Sequence, residues 1–158
     1  VHTAAGPLAT VAGKPEVPIF EEALERFGIS QALMVGDRLD TDIMGAKRAG
    51  IKSALVLTGI DGPKQVLASG VEQQPDFILN DLRELHLPYP QAIRSEHNGQ
   101  PVVTVGKAAV TLRDQVHVEI LSRDEDPTNL LRAACQLIWP TNRAIFGFYV
   151  DEEIFSYR

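Results

Sequence analysis

The sequence predicts an α/β fold: a parallel sheet covered by helices over residues 1–90, followed by a small α+β unit over residues 91–158. Three observations lead there. Unbroken apolar runs alternate with amphipathic helical stretches as far as about residue 86, the pattern of parallel βαβ units buried on both faces. Beyond residue 90 the runs are rich in Val and Thr and are separated by turn signals, as in antiparallel hairpins. Hydrophobic residues make up 44% and charged residues 23% of the 158-residue chain, which is enough apolar material for a core and excludes a disordered chain.

The elements follow in order. "PLATVA" (7–12) reads as a short buried strand and "VPIFEEALERFG" (17–28) as a helix, with Ile19, Phe20, Ala23, Leu24 and Phe27 at helical spacing and Gly28 as its stop. "QALMVGD" (31–37) is the next strand. "DTDIMGAKRAG" (40–50) is a helix with Asp40 as N-cap and Gly50 as C-terminal stop. The unit then repeats, with a strand at 52–59, a short helix at 62–70 carrying Pro63 near its start, and a strand at 76–80.

In the second unit, Asn98-Gly99 and Gly106-Lys107 mark two hairpin turns within residues 96–112, and "QVHVEILS" (115–122) alternates as a further strand. A helix over 126–140 starts at Asp126-Pro127 and stops at Pro140, and a last strand is expected over 144–154. The expected arrangement is an antiparallel α+β unit outside the parallel sheet.

Charge and composition exclude several function classes. The formal charge is −6, and the 15 Lys and Arg residues form no run, so a nucleic-acid backbone has no footprint here. No run of about 18 apolar residues offers a membrane span, and the first residues have no signal-peptide pattern, so a cytoplasmic protein with no membrane partner is expected. The single cysteine, Cys135, lies on an apolar helix and reads as a buried thiol. His2, His86, His97 and His117 have no metal-ligand spacing, and Trp139 reads as a core anchor.

The chemistry concentrates in "GDRLDTDI" (36–43), where Asp37, Asp40 and Asp42 follow an apolar strand. Strand ends of a parallel sheet line the crevice that binds ligands, and Asp37 sits at such an end. Asp40 and Asp42 enter a helix, where acids are stabilised by capping and the macrodipole. Asp37 precedes the helix and faces Asp42 across the turn, a pair of hard oxygen donors suited to Mg²⁺. Lys14 sits at another strand exit. It is not the lysine of a phosphate loop, because Leu8 stands where that motif needs its first glycine and Pro15 where it needs Ser or Thr.

Together, "GKPEVPIFEEALERFG", "MVGDRLDTDIMGAKRAG", "LVLTG" and "PDFIL", spanning residues 8–86, resemble the C-terminal half of a haloacid dehalogenase (HAD)-type phosphatase core, a Rossmann-like parallel sheet, of the type IIA capped group. That resemblance implies a Mg²⁺-dependent phosphomonoester hydrolase working through an aspartyl phosphate. Lys14 matches the lysine that neutralises the nucleophile and the transferring phosphoryl group. Asp37 matches the metal-bound carboxylate, and Asp42 the acid that holds the ion through its water shell. The implied substrate is a small phosphorylated metabolite.

The family's nucleophilic D-x-D motif has no counterpart at a strand end. "DED" (124–126) follows Lys14 in sequence and reads as a capped loop. The resemblance therefore places the nucleophile and the cap upstream of Val1, with the N-terminal half of the same protein as partner. Residues 92–158 resemble the shortened acetyltransferase-like module appended to some actinobacterial phosphatases of this group, including ones acting on glycerol 3-phosphate. No coenzyme A loop is present, so a packing or regulatory role is expected for it, and a homo-oligomer is compatible with the sequence. The alternative to the enzyme is a non-catalytic interaction or regulatory module built on the half-core.

Overall fold

The computed structural model describes residues 12–156, so all but the last residue of the expected strand over 7–12 lies outside the described residues. The first helix, α1 (Pro18–Phe27), begins with Pro18 and ends where Gly28 adopts a left-handed conformation at φ 61°. Its Phe20 ring packs on the backbone of Gly45, where an added Cβ would sit 2.5 Å from the ring.

Among the described residues, strands β1 (Leu33–Gly36), β2 (Lys52–Val56) and β3 (Phe77–Leu79) form a parallel sheet in the order β1-β2-β3. The crossovers are helical. Residues Leu39–Ile43 wind as a π-helical turn leading into α2 (Met44–Arg48), and α3 (Pro63–Leu67) is shorter than the expected 62–70. Beyond α3, Val71–Gln73 form a separate 3₁₀ turn, because Gly70 sits in an extended conformation and breaks the helix.

Among the described residues the second sheet has five strands in sequential order: β4 (Ala92–His97), β5 (Gln100–Val105), β6 (Ala108–Arg113), β7 (His117–Ser122) and β8 (Tyr149–Val150). No strand among the described residues joins it to the first sheet. Asn98 and Gly99 both have positive φ, 52° and 75°, as the tight hairpin between β4 and β5 requires. Gly106 at φ 58° opens the next turn.

Two expectations need correction. The strand expected over 144–154 contracts to two residues, because Ile145–Gly147 and Glu152–Phe155 wind into 3₁₀ turns, the second capped by the Asp151 carboxylate accepting from Glu153 N. The second sheet is also not wholly antiparallel: β8 runs parallel to β7, having returned through the helix α4 (Thr128–Ile138). A crossover helix is what a parallel neighbour needs.

Helix α4 packs on β5 and β6 and also meets α3 and β3, so nearly every residue of it is buried. One hydrophobic cluster runs through it, from Leu39, Ile43, Leu55 and Ile78 to Val103, Val110, Leu131 and Ile154. Cys135 is in this cluster, and burial pushes its thiol well above its ordinary pKa, as expected of an inert core cysteine. No helix among the described residues is long and apolar enough to cross a membrane.

Among the described residues, the outer edge of β3 is closed by side chains instead of a strand. Ile78 N donates to the Tyr89 hydroxyl at 3.1 Å, and Ile78 O accepts from Arg132 Nε of α4 at 2.9 Å. The Arg132 guanidinium also stacks over the Tyr89 ring, and Tyr89 meets Phe77 edge-on.

Candidate active site

Parallel strands end on the same side of a sheet, so the segments following β1 and β2 meet at one edge. β1 ends at Gly36 and delivers Asp37. β2 runs on into Thr58, Gly59, Ile60 and Asp61, which wrap around the Asp37 loop: Asp61 N donates to Asp37 O at 3.0 Å, and Ile60 N donates to Asp37 Oδ2 at 3.1 Å. The approach is close enough to demand glycine. A Cβ on Gly59 would lie 2.1 Å from Asp37 Cβ, and one on Gly36 would lie 2.4 Å from the Asp42 side chain.

Asp42 is the centre of the arrangement and is 3% exposed. The π-helical winding after β1 turns its carboxylate back toward the strand end, where Oδ2 accepts from Asp37 N and Arg38 N, both at 3.2 Å. Its Oδ1 accepts from Lys14 Nζ at 2.5 Å. Lys14 comes from the turn before α1, 28 residues away, and its side chain keeps 43% exposure. Lys14, Asp37 and Asp42 thus stand together at the C-terminal end of β1, with Asp42 as the link between the ammonium and the Asp37 backbone.

Asp40 does not cap the helix that follows. Its carboxylate is taken bidentately by the Arg38 guanidinium at 3.0 and 2.8 Å, in an exposed pair that lowers the Asp40 pKa from its ordinary value. A carboxylate held this way is not free to reach the first N–H groups of the turn. Asp61 does that work instead, accepting from Leu39 N at 2.7 Å.

Asp61 was not singled out by sequence reasoning. The only signal was an acid placed just after a strand exit, in "LTGID". Its two hydrogen bonds fix both ends of the segment 37–39 that presents Asp37. Asp61→Ala is expected to cost about 1–3 kcal/mol by leaving Leu39 N without its acceptor, and Asp61→Asn, which retains an acceptor oxygen, less. Urea denaturation reads both, and equal losses would show that the Leu39 bond is not what matters.

The donor set fits a hydrated divalent cation. Both Asp42 oxygens are engaged by protein donors, whereas Asp37 Oδ1 accepts no hydrogen bond from a described residue. One open carboxylate oxygen beside a second, engaged carboxylate suits Mg²⁺, which keeps most of its water and takes few protein ligands. No cluster of three or more His, Cys, Asp or Glu side chains among the described residues forms a closed metal cage.

The HAD-hydrolase-like family matches residues 11–85, a span that contains Lys14, Asp37, Asp42 and Asp61. Over that span the chain is similar to the HAD-hydrolase-like family. Among similar proteins, D-glycerol 3-phosphate phosphatase of Mycobacterium tuberculosis is 35% identical over 144 residues, 91% of this chain and 40% of that protein. Phosphoglycolate phosphatase 2 of Arabidopsis thaliana is 39% identical over 48% of this chain and 26% of its own length. The chain therefore spans well under half of the relatives it matches. A solved glycerol phosphate phosphatase of Mycobacterium tuberculosis in complex with magnesium superposes with a TM-score of 0.61 at 27% identity, over 99% of this chain and 47% of that one. The same phosphatase in complex with calcium gives 0.56 at 33% identity, over 84% of this chain and 37% of that one. The HAD-like likeness accounts for the parallel sheet, and the M. tuberculosis phosphatase is similar across the second sheet as well.

Proposed function

We propose that this chain supplies the lysine and metal-binding part of a Mg²⁺-dependent phosphomonoester hydrolase that works through an aspartyl phosphate. The observation that carries the reading is the convergence of Lys14, Asp42 and Asp37 at one sheet edge. Phosphoryl transfer needs positive charge fixed around the equatorial oxygens and the attacking group before reaction, and little else from the protein. Lys14 provides such a charge: Asp42 holds its ammonium, and its partial exposure leaves it able to face a phosphate.

Asp37 would hold Mg²⁺ directly and Asp42 through the ion's water shell. When bound, the ion offsets charge on the phosphoryl oxygens. The backbone N–H of Ile60 and the Asp61 clamp keep the Asp37 carboxylate in place, so it need not reorganise as charge develops. The attacking aspartate and the groups that select the substrate belong to the remaining part of the protein, the N-terminal half, with which this chain pairs. The substrate is a small phosphorylated metabolite. Because the relative aligned over 91% of the chain acts on D-glycerol 3-phosphate, that compound is the first to assay. Residues 91–158 serve this core as a packing or regulatory module.

The isolated 158 residues are expected to hydrolyse neither glycerol 3-phosphate nor a generic aryl phosphate above background in Mg²⁺. The complete protein should hydrolyse the former, and Asp37→Asn in it should raise the Mg²⁺ concentration needed for half-maximal rate. Robust turnover by the isolated chain, abolished by Asp37→Asn, would place the nucleophile inside these 158 residues and sink the division of labour. A complete Asp37→Asn protein with an unchanged Mg²⁺ requirement would sink the metal assignment.

A further inference from the structure

Strand β4 is the outer strand of the second sheet, and all six of its residues are exposed. Among the described residues it pairs only with β5. The two-residue turn at Asn98-Gly99 makes His97 and Gln100 a hydrogen-bonded pair, and alternation along an antiparallel ladder then gives Ser95 with Val102 and Ile93 with Thr104 the same character. The N–H and C=O groups of Ala92, Arg94 and Glu96 consequently point off the outer edge of the sheet. Exposed edges are usually blunted by proline, a bulge or charged side chains. β4 has no proline, its register with β5 is unbroken, and its two charges are opposite in sign.

We propose that β4 is the pairing edge of a symmetric dimer, in which a second copy adds its own β4 antiparallel about a two-fold axis through Ser95. In that register Arg94 lies opposite the partner's Glu96, and Glu96 opposite the partner's Arg94. Both are hydrogen-bonded pairs, because residues 94 and 96 are those whose main-chain groups point outward. Four main-chain hydrogen bonds and two ion pairs therefore form together.

The charges also select the register. A slip by one residue sets outward-pointing groups against inward-pointing ones. A slip by two sets Arg94 against the partner's Arg94, or Glu96 against the partner's Glu96. Among these registers only the axis through Ser95 avoids both, and it brings the two serine hydroxyls into the closest kind of cross-strand pair.

The side chains are already arranged for this. Arg94 donates to Gln136 O and Oε1 of α4 at 2.6 and 3.2 Å, which fixes its guanidinium on the helix-covered face of the sheet. Glu96, two residues on, shares that face, and its carboxylate has no hydrogen-bond partner among the described residues.

Sedimentation velocity on the 158-residue chain tests the dimer. A concentration-dependent monomer–dimer equilibrium is expected, with the Arg94 and Glu96 amides gaining hydrogen-exchange protection as concentration rises. Arg94→Glu and Glu96→Arg each set like charges face to face twice across the axis, and each should weaken association roughly tenfold or more. The double variant Arg94→Glu/Glu96→Arg restores opposite charges in mirror order and should recover the dimer, which separates pairing from any folding defect of the single variants. A chain that remains monomeric at about 1 mM, or a dimer indifferent to both single variants, overturns the proposal. Protection of those two amides in the monomer overturns it too, because another segment or a different protein would then cover the edge.

Discussion

Lys14→Met in the complete protein is expected to lower kcat by about a hundred- to a thousandfold, the usual effect of removing one preorganised charge-stabilising group. The lysine is positioned before any substrate arrives: its Nζ is 2.5 Å from Asp42 Oδ1, and Asp42 is itself fixed by Asp37 N and Arg38 N. The loss should fall on kcat more than on KM, because the ammonium meets more negative charge in the transition state than in the bound ester. Stability should change little. An ion pair whose lysine is 43% exposed contributes at most about 1 kcal/mol, and Asp42 keeps its two backbone donors. Steady-state kinetics with a parallel urea titration separates the two effects. An active Lys14→Met enzyme would mean that the lysine serves only to hold the turn before α1. Asp40→Asn is the matched control, because Asp40 spends its carboxylate on Arg38 at the surface and touches neither Lys14 nor Asp37.

How far the sequence could be read depended on whether a residue's role follows from its place in one element or from a partner elsewhere in the chain. Asp37 and Lys14 were legible because each follows an apolar run in the sequence and precedes a helical stretch, the place at which a parallel strand is expected to deliver a side chain to the shared edge. Asp61 was not. Its role lies in a hydrogen bond to Leu39 N, 22 residues away, and no spacing or periodicity announces it. Asp40 was misread for the same reason: as an acid before a helix it fits an N-cap, and only the neighbouring Arg38 takes it away. The hairpins from β4 to β6 were written in their turn residues, whereas β8 was overextended, since "AIFGFYVDEEI" has strand composition but packs as turns around two paired residues. Helix α4 was visible as an apolar helix. What its one arginine does there was not, because the groups that satisfy it come from β3, from residues 82–86, from Asp126 just before the helix and from Asn129 in its first turn.

Arg132→Met is expected to destabilise the protein by about 3 kcal/mol. Arg132 is 4% exposed, and its guanidinium serves four acceptors: Ile78 O through Nε, Asp126 Oδ2 and Asn129 Oδ1 through Nη1, and Glu84 Oε2 through Nη2. Methionine replaces it without a large cavity, so the loss comes from polar groups left behind. Breaking a buried ion pair by removing one partner costs about 3–5 kcal/mol. The lower end applies here because Glu84 and Asp126 retain 20% and 35% exposure and recover part of their hydration. The carbonyl of Ile78 has no such route while the edge of β3 stays covered. Arg132→Lys should recover less than half of the loss, since one ammonium cannot span a main-chain carbonyl and two carboxylates on opposite sides. Urea denaturation should show a lower midpoint with an unchanged slope. Exchange of the Ile78 amide should quicken as well, because its acceptor is the hydroxyl of Tyr89, whose ring lies beneath the guanidinium. An unchanged midpoint would mean that the network offsets only its own desolvation. A lower midpoint with an unchanged Ile78 amide would mean that Tyr89 alone closes the edge of β3, and that Arg132 ties α4 to the 82–86 turn and not to the sheet.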